Sequence, residues 1–175
     1  MRTVVLRVAA LAALLLLVLA TVLTLQTMQR LPDTLVYLVA DSGTNFRLES
    51  VGRRSNADSP EERARAAITE LAEGPTASER ERGLTSVVPV GTSVHGILLI
   101  DAVLEVDLSG EFESGGGSAA MQGRLNQLFY TLTQPAGIDG VRLFIDGRPA
   151  VVFGGEGIIV DSPWLRSQHS ALPVW

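Results

Sequence analysis

Val39 and Ala40 followed by Asp41-Ser42-Gly43-Thr44 are the residue types with which an aspartic protease presents a catalytic carboxylate at the end of a strand. Such chemistry needs two of these loops, so that two carboxylates share a proton and one acts as base, and a second copy of the chain would have to supply the other. Asp-Ser-Gly is also a standard way to leave a strand, with the Asp carboxylate capping the turn, and that is the default reading. Ser114 to Ser118, SGGGS, suggests a phosphate cradle but lacks the Gly-Lys-Ser/Thr ending that carries charge and metal ligand, so it reads as a flexible loop entering a helix. His95 and His169 are the two histidines, and no partners for a metal site or a Ser-His-Asp triad are marked around them. Glu105, Asp107, Glu111 and Glu113 cluster without calcium-loop spacing and suit a solvated strand face. The residues left as interaction candidates are Arg47, Arg53 and Arg54, the densest basic patch, and Trp164, an aromatic anchor that follows Pro163 and closes over the domain edge. No catalytic residue, cofactor or metal is expected.

These residues must be positioned by local structure, and much of it is legible. Leu35 to Ala40 is an apolar run of strand length, and the charged stretch Arg47 to Arg54 suits an edge strand. Ser59-Pro60-Glu61-Glu62 combines an N-cap Ser with Pro at the first helical position, which predicts a helix to Glu73 that buries Ala64, Ala67, Ile68 and Leu71. It ends at Gly74-Pro75, with a loop from there through Pro89. Val94 to Ile100 and Val103 to Leu108 read as a hairpin around Asp101-Ala102. Met121, Leu125, Leu128, Phe129 and Leu132 form one apolar helical stripe. Val141 to Ile145, Asp146-Gly147 and Ala150 to Phe153 read as a second hairpin, Ile158 to Val160 as a short strand, and residues 167–175 as a flexible tail. This order predicts an α+β fold: a mixed or antiparallel sheet of about five to six strands with two helices packed on one face, preceded by one N-terminal transmembrane helix.

Composition divides the 175 residues into two parts. Residues 1–30 carry three arginines and no acid, whereas the rest carries 11 arginines against 19 acids, so charges of +3 and -8 make up the net -5. Val8 to Leu25 is an uncharged stretch of 18 residues, about 27 Å as a helix, close to the thickness of a hydrocarbon core. With Arg2 and Arg7 before it, the expected placement is single-pass in the cytoplasmic membrane, N-terminus inside and the remainder extracytoplasmic. A cleaved signal peptide is the rival reading. The expected domains are therefore 1–30 (cytoplasmic stub and anchor), 31–34 (linker), 35–166 (globular domain) and 167–175 (tail). The absence of cysteine removes disulfides, Cys-zinc sites, thiol nucleophiles and a lipobox, and an acidic domain with scattered arginines is a poor partner for nucleic acid.

The stretch from Leu35 to about Arg166 resembles the GerMN domain of bacterial sporulation and spore-germination proteins. The resemblance rests on LVYLVAD (Leu35 to Asp41), LAEGP (Leu71 to Pro75), VVPVGT (Val87 to Thr92), LEVDLSGEF (Leu104 to Phe112), the run from Gly115 to Pro149, and DSPWLR (Asp161 to Arg166). It implies a ring-building-motif-like α/β module on the outer face of the cytoplasmic membrane, non-enzymatic, contacting envelope proteins, further copies of itself or peptidoglycan. It also implies a sporulation or germination role, and it supplies no catalytic residues. The reading from a different class is an exported retropepsin-like aspartic protease using Asp41-Ser42-Gly43-Thr44.

Overall fold

The computed structural model describes residues 12–24, 32–155, 157–169 and 171–175. The chain divides into two units, Met1–Pro32 and Asp33–Trp175. In the first, residues 12–24 form a helix, α1, whose side chains are exposed. Within it Thr21 Oγ1 donates to the carbonyls of Leu17 and Val18, and Thr24 Oγ1 to that of Ala20, so the hydroxyls of this apolar helix are satisfied internally. Among the described residues no helix is long and apolar enough to cross a membrane. The predicted span, 8–25, extends past residues 12–24 on both sides, and its ends lie outside the described residues.

The second unit is α+β, and its described residues form three small sheets, three α-helices and two short 3-10 helices. Strands β1 (Thr34–Asp41) and β2 (Phe46–Arg53) pair antiparallel along their full length, and β3 (Leu84–Thr85) adds to the end of β1, giving the order β2-β1-β3. The larger sheet contains β4 (Val94–Ile100), β5 (Val103–Leu108), β6 (Gly140–Ile145), β7 (Arg148–Pro149) and β10 (Trp164–Leu165). Its order is β10-β6-β5-β4, with β7 paired to β6. Strands β8 (Val152–Phe153) and β9 (Ile158–Ile159) pair with each other and with no other described strand. β5 and β6 are parallel, which requires a crossover, and helix α4 (Ser118–Leu132) supplies it.

The single sheet expected from the sequence is thus divided, for a visible reason. The second edge of β1 is filled at Val39 and Ala40 by β3, and at Tyr37 by side chains of α4. Thr131 Oγ1 accepts the Tyr37 N–H at 3.0 Å and Gln127 Nε2 donates to the Tyr37 carbonyl at 2.9 Å, so two buried side chains do what a neighbouring strand would do. Gln127 Oε1 also accepts the Val87 N–H at 2.8 Å, which explains a wholly buried amide on a core helix.

Helix α2 (Pro60–Glu73) begins as its sequence predicts: Ser59 accepts from the Glu62 amide, Pro60 opens the first turn, and Gly74 leaves the helix at φ 82°. It buries Ala64, Ala67, Ile68 and Leu71 against β1, β4 and α4. Arg65, which stands four residues from Glu61, donates to the Val94 carbonyl at 2.7 Å. The loop expected between Gly74 and Pro89 instead contains a short helix, α3 (Ala77–Glu81), and β3. The Asp146-Gly147 hairpin forms, but its second strand is Arg148–Pro149, and Val152–Phe153 turns away to pair with β9. The core runs through both larger sheets and is filled by Val36, Leu38, Ile68, Leu71, Leu104, Leu108, Phe112, Phe129, Leu132 and Phe153.

Candidate functional site

Asp41 stands at the exposed end of β1, where its Oδ1 accepts the Gly43 N–H at 2.7 Å while Ser42 Oγ donates to the Asn45 carbonyl at 2.8 Å. The carboxylate is closing its own turn. Among the described residues no group of three or more His, Asp or Glu is placed to hold a metal, and the geometry around Asp41 is that of a β1–β2 hairpin cap.

The three arginines do not form one patch. Arg47 is exposed near the start of β2 and Arg53 ends that strand, six residues and about 20 Å further on. Arg54 is exposed beside it. Arg53 is turned inward: Nη1 and Nη2 bond both oxygens of Glu79 at 2.7 Å, and Nε bonds Glu70 at 2.7 Å. Glu79 Oε2 also accepts the Thr76 amide at 2.8 Å, closing a capping box at the start of α3. The Arg53 guanidinium, with the Thr76 bonds in support, holds the Glu79 carboxyl down to about 2. Arg82, just past α3, pairs with Glu49 of β2. Arg53 is therefore the hub that fixes β2, α2 and α3 together. The sequence signal for α3, Thr76-x-x-Glu79, is an ordinary capping box that the predicted loop overlooked.

The glycine loop is shaped by a second inward arginine. Arg124 of α4 is 4% exposed, and among the described residues its hydrogen-bond acceptors include no carboxylate. Its donors instead reach the carbonyls of Val87 at 2.8 Å, Phe112 at 2.9 Å and Gly115 at 2.6 Å. Burial pulls this guanidinium below its ordinary value. A Cβ at Gly116 would sit 2.8 Å from Ala120 and 3.1 Å from Arg124 Nη2, at φ 84°, so glycine is required there for the loop to wrap the guanidinium. The SGGGS stretch wraps Arg124 and turns the Gly115 carbonyl toward its guanidinium, so this loop serves a cation of the domain itself.

Trp164 lies in β10, half-buried, edge-on to Phe129 at 6.0 Å and stacked on His169 at 5.6 Å. With Leu125, Leu128, Val141 and Leu143 it lines a small apolar cavity of about 20 Å³, so it does close the domain edge. Gly140 makes this possible, because a Cβ there would meet the Trp164 carbonyl at 2.8 Å. The segment expected as a flexible tail is bonded to the domain. Trp175 exchanges both backbone hydrogen bonds with Phe46, at 2.8 and 3.1 Å, and its indole donates to the Ala119 carbonyl at 3.2 Å. Tyr130 Oη donates to the Ala171 carbonyl. Val39, Phe46, Val87, residues 117–120 and Trp175 line an open groove of about 430 Å³. His95 sits 3.7 Å from Asp146, and of the four acids expected on one strand face only Glu105 and Asp107 lie on β5, Glu111 and Glu113 falling in the 3-10 helix Gly110–Glu113; Glu105 faces Arg142 at 3.5 Å, Asp107 accepts from Gly147 and Glu113 from Gly154.

The arrangement defines a small α+β module of paired sheets and core helices, in which the conspicuous polar residues serve the fold. Its architecture matches solved GerMN domains. The first GerMN domain of the sporulation protein GerM from Bacillus subtilis aligns with 77% of this chain and 99% of its own length, at TM-score 0.62 and 22% identity. The tandem GerMN domains of the same protein align with a TM-score of 0.62 and 23% identity, where this chain spans 46% of the longer structure. No curated protein matches the sequence. Residues 35–151 match the family described as Germane, sporulation and spore germination. The chain belongs to that family, and its domain is a GerMN domain.

Proposed function

We propose that this chain is an extracytoplasmic interaction module of the cell envelope, held at the cytoplasmic membrane by its N-terminal segment and acting in sporulation or germination through protein contacts without catalysis. The observation that carries this reading is the family match over residues 35–151 on a domain whose inward charged groups, Arg53, Glu79 and Arg124, are all engaged in holding elements together. The uncharged stretch 8–25, preceded by Arg2 and Arg7 and followed by an acidic domain, supports the anchor and its orientation. The partners are envelope proteins, further copies of the chain, or peptidoglycan.

The chain lacks cysteine, so a single exposed reporter such as Val90→Cys can be labelled on intact cells by a membrane-impermeant maleimide. Labelling from outside, with the chain in the membrane fraction and envelope components recovered on a tagged copy after cross-linking, is the expected result. A chain that labels only after lysis and recovers no envelope component overturns the proposal.

A further inference from the structure

The two outer strands of the larger sheets are treated differently. β2 is guarded: Arg47, Glu49 and Arg53 put charge along it, and Trp175 covers its edge at Phe46 by exchanging both backbone hydrogen bonds. β4 ends the larger sheet and is paired to β5 alone among the described strands. Its first residues are protected, since the register is interrupted between Val94 and Gly96 and Arg65 donates to the Val94 carbonyl at 2.7 Å. Ile97-Leu98-Leu99-Ile100 has no charge, proline or bulge, and Leu98 and Ile100 are 55% and 44% exposed.

The turn fixes which backbone groups face outward. Asp101 and Ala102 both have positive φ, 47° and 64°, so Ile100 and Val103 form the hydrogen-bonded pair that closes a two-residue hairpin. Alternation then turns the N–H and C=O of Ile97 and Leu99 away from β5. Beside Leu98 on the outer face, Glu105 is neutralised by Arg142.

We propose that β4 pairs antiparallel with β4 of a second copy about a twofold axis, Ile97 opposite Leu99 of the other copy. This deepens the interaction-module reading and rests on it. In that register Leu98 meets its own counterpart, Ile100 meets Gly96, and the acidic Asp101 falls opposite His95 and not opposite another acid, so no like charges are opposed across the axis. The pairing closes on itself and joins the two larger sheets into one.

The cysteine-free chain makes the register directly readable. Leu98→Cys places two thiols on a non-hydrogen-bonded pair, with Cα atoms about 4.5 Å apart, within disulfide reach. Ile100→Cys lies four positions out of register with its counterpart, about 13 Å away and out of reach. The whole chain, expressed in its membrane and oxidised with copper phenanthroline, is read on non-reducing gels. We expect at least about tenfold more dimer for Leu98→Cys than for Ile100→Cys, and loss of self-association in sedimentation for Leu98→Lys, which opposes like charges across the axis. Equal cross-linking of the two variants, or a Leu98→Cys disulfide to a different protein, overturns self-pairing through β4. Absence of any cross-link while envelope components are still recovered also overturns it and leaves the interaction-module reading standing.

Discussion

Removing the charge at Glu79 should make the domain's stability depend on acid in a way that isolates one ion pair. Glu79 is 7% exposed and its carboxyl is held down from 4.5 to about 2, chiefly by Arg53. A depressed carboxyl contributes stability that is complete above about 4.5 and lost as pH falls toward about 2. The difference of roughly 2.5 pH units corresponds to about 3 kcal/mol at neutral pH, at about 1.36 kcal/mol per unit. Urea unfolding of the Asp33–Trp175 unit, followed by tryptophan fluorescence from pH 7 to pH 2, measures it in the wild type and in Glu79→Gln. The variant should be about 3 kcal/mol less stable at pH 7, and the gap should shrink steadily below about pH 4.5. Arg53→Met should be worse at neutral pH, by about 3–5 kcal/mol, because it leaves a buried carboxylate without its partner. A wild type–Glu79→Gln gap that stays constant across the titration would refute the assignment of that stability to the pair.

Other consequences are separable from this one. Ala102→Gly should raise stability by about 1 kcal/mol in the same assay, since alanine at φ 64° carries left-handed strain that glycine does not. Gln127→Leu should lower it by about 2–4 kcal/mol, because the Tyr37 carbonyl and the Val87 amide both lose their partner in the interior. Trp175→Ala should release the segment from Phe46, seen as faster proteolysis after residue 169, with about 2 kcal/mol lost, roughly half the penalty of truncating a fully buried Trp. Asp41→Asn should leave the fold and the association behaviour unchanged, since Asn accepts the same turn bond from Gly43.

Much of this protein is written in short stretches of sequence. Ser59-Pro60 and Gly74 bound α2, the Met121-to-Leu132 stripe makes α4, and Asp146-Gly147 turns the β6–β7 hairpin, because caps, turns and helical periodicity act within a few residues. Asp41 as a turn cap was readable for the same reason. The family resemblance, carried by motifs from Leu35 onward, was readable as well.

What the tertiary structure decided involves groups far apart in the chain. Arg53 meets carboxylates 17 and 26 residues away, so a residue that looks like part of a basic surface patch becomes a buried hub. Arg124 gathers the carbonyls of Val87, Phe112 and Gly115, the first 37 residues away, and gives the glycine run its shape. Gln127 and Thr131 complete the edge of β1 and so divide what reads as one sheet, and Trp175 binds β2 from more than a hundred residues away. Local patterns choose helix, strand or turn, but which strand edge stays open depends on what long-range hydrogen bonding has already covered. In this chain that choice protects β2 and leaves β4 exposed.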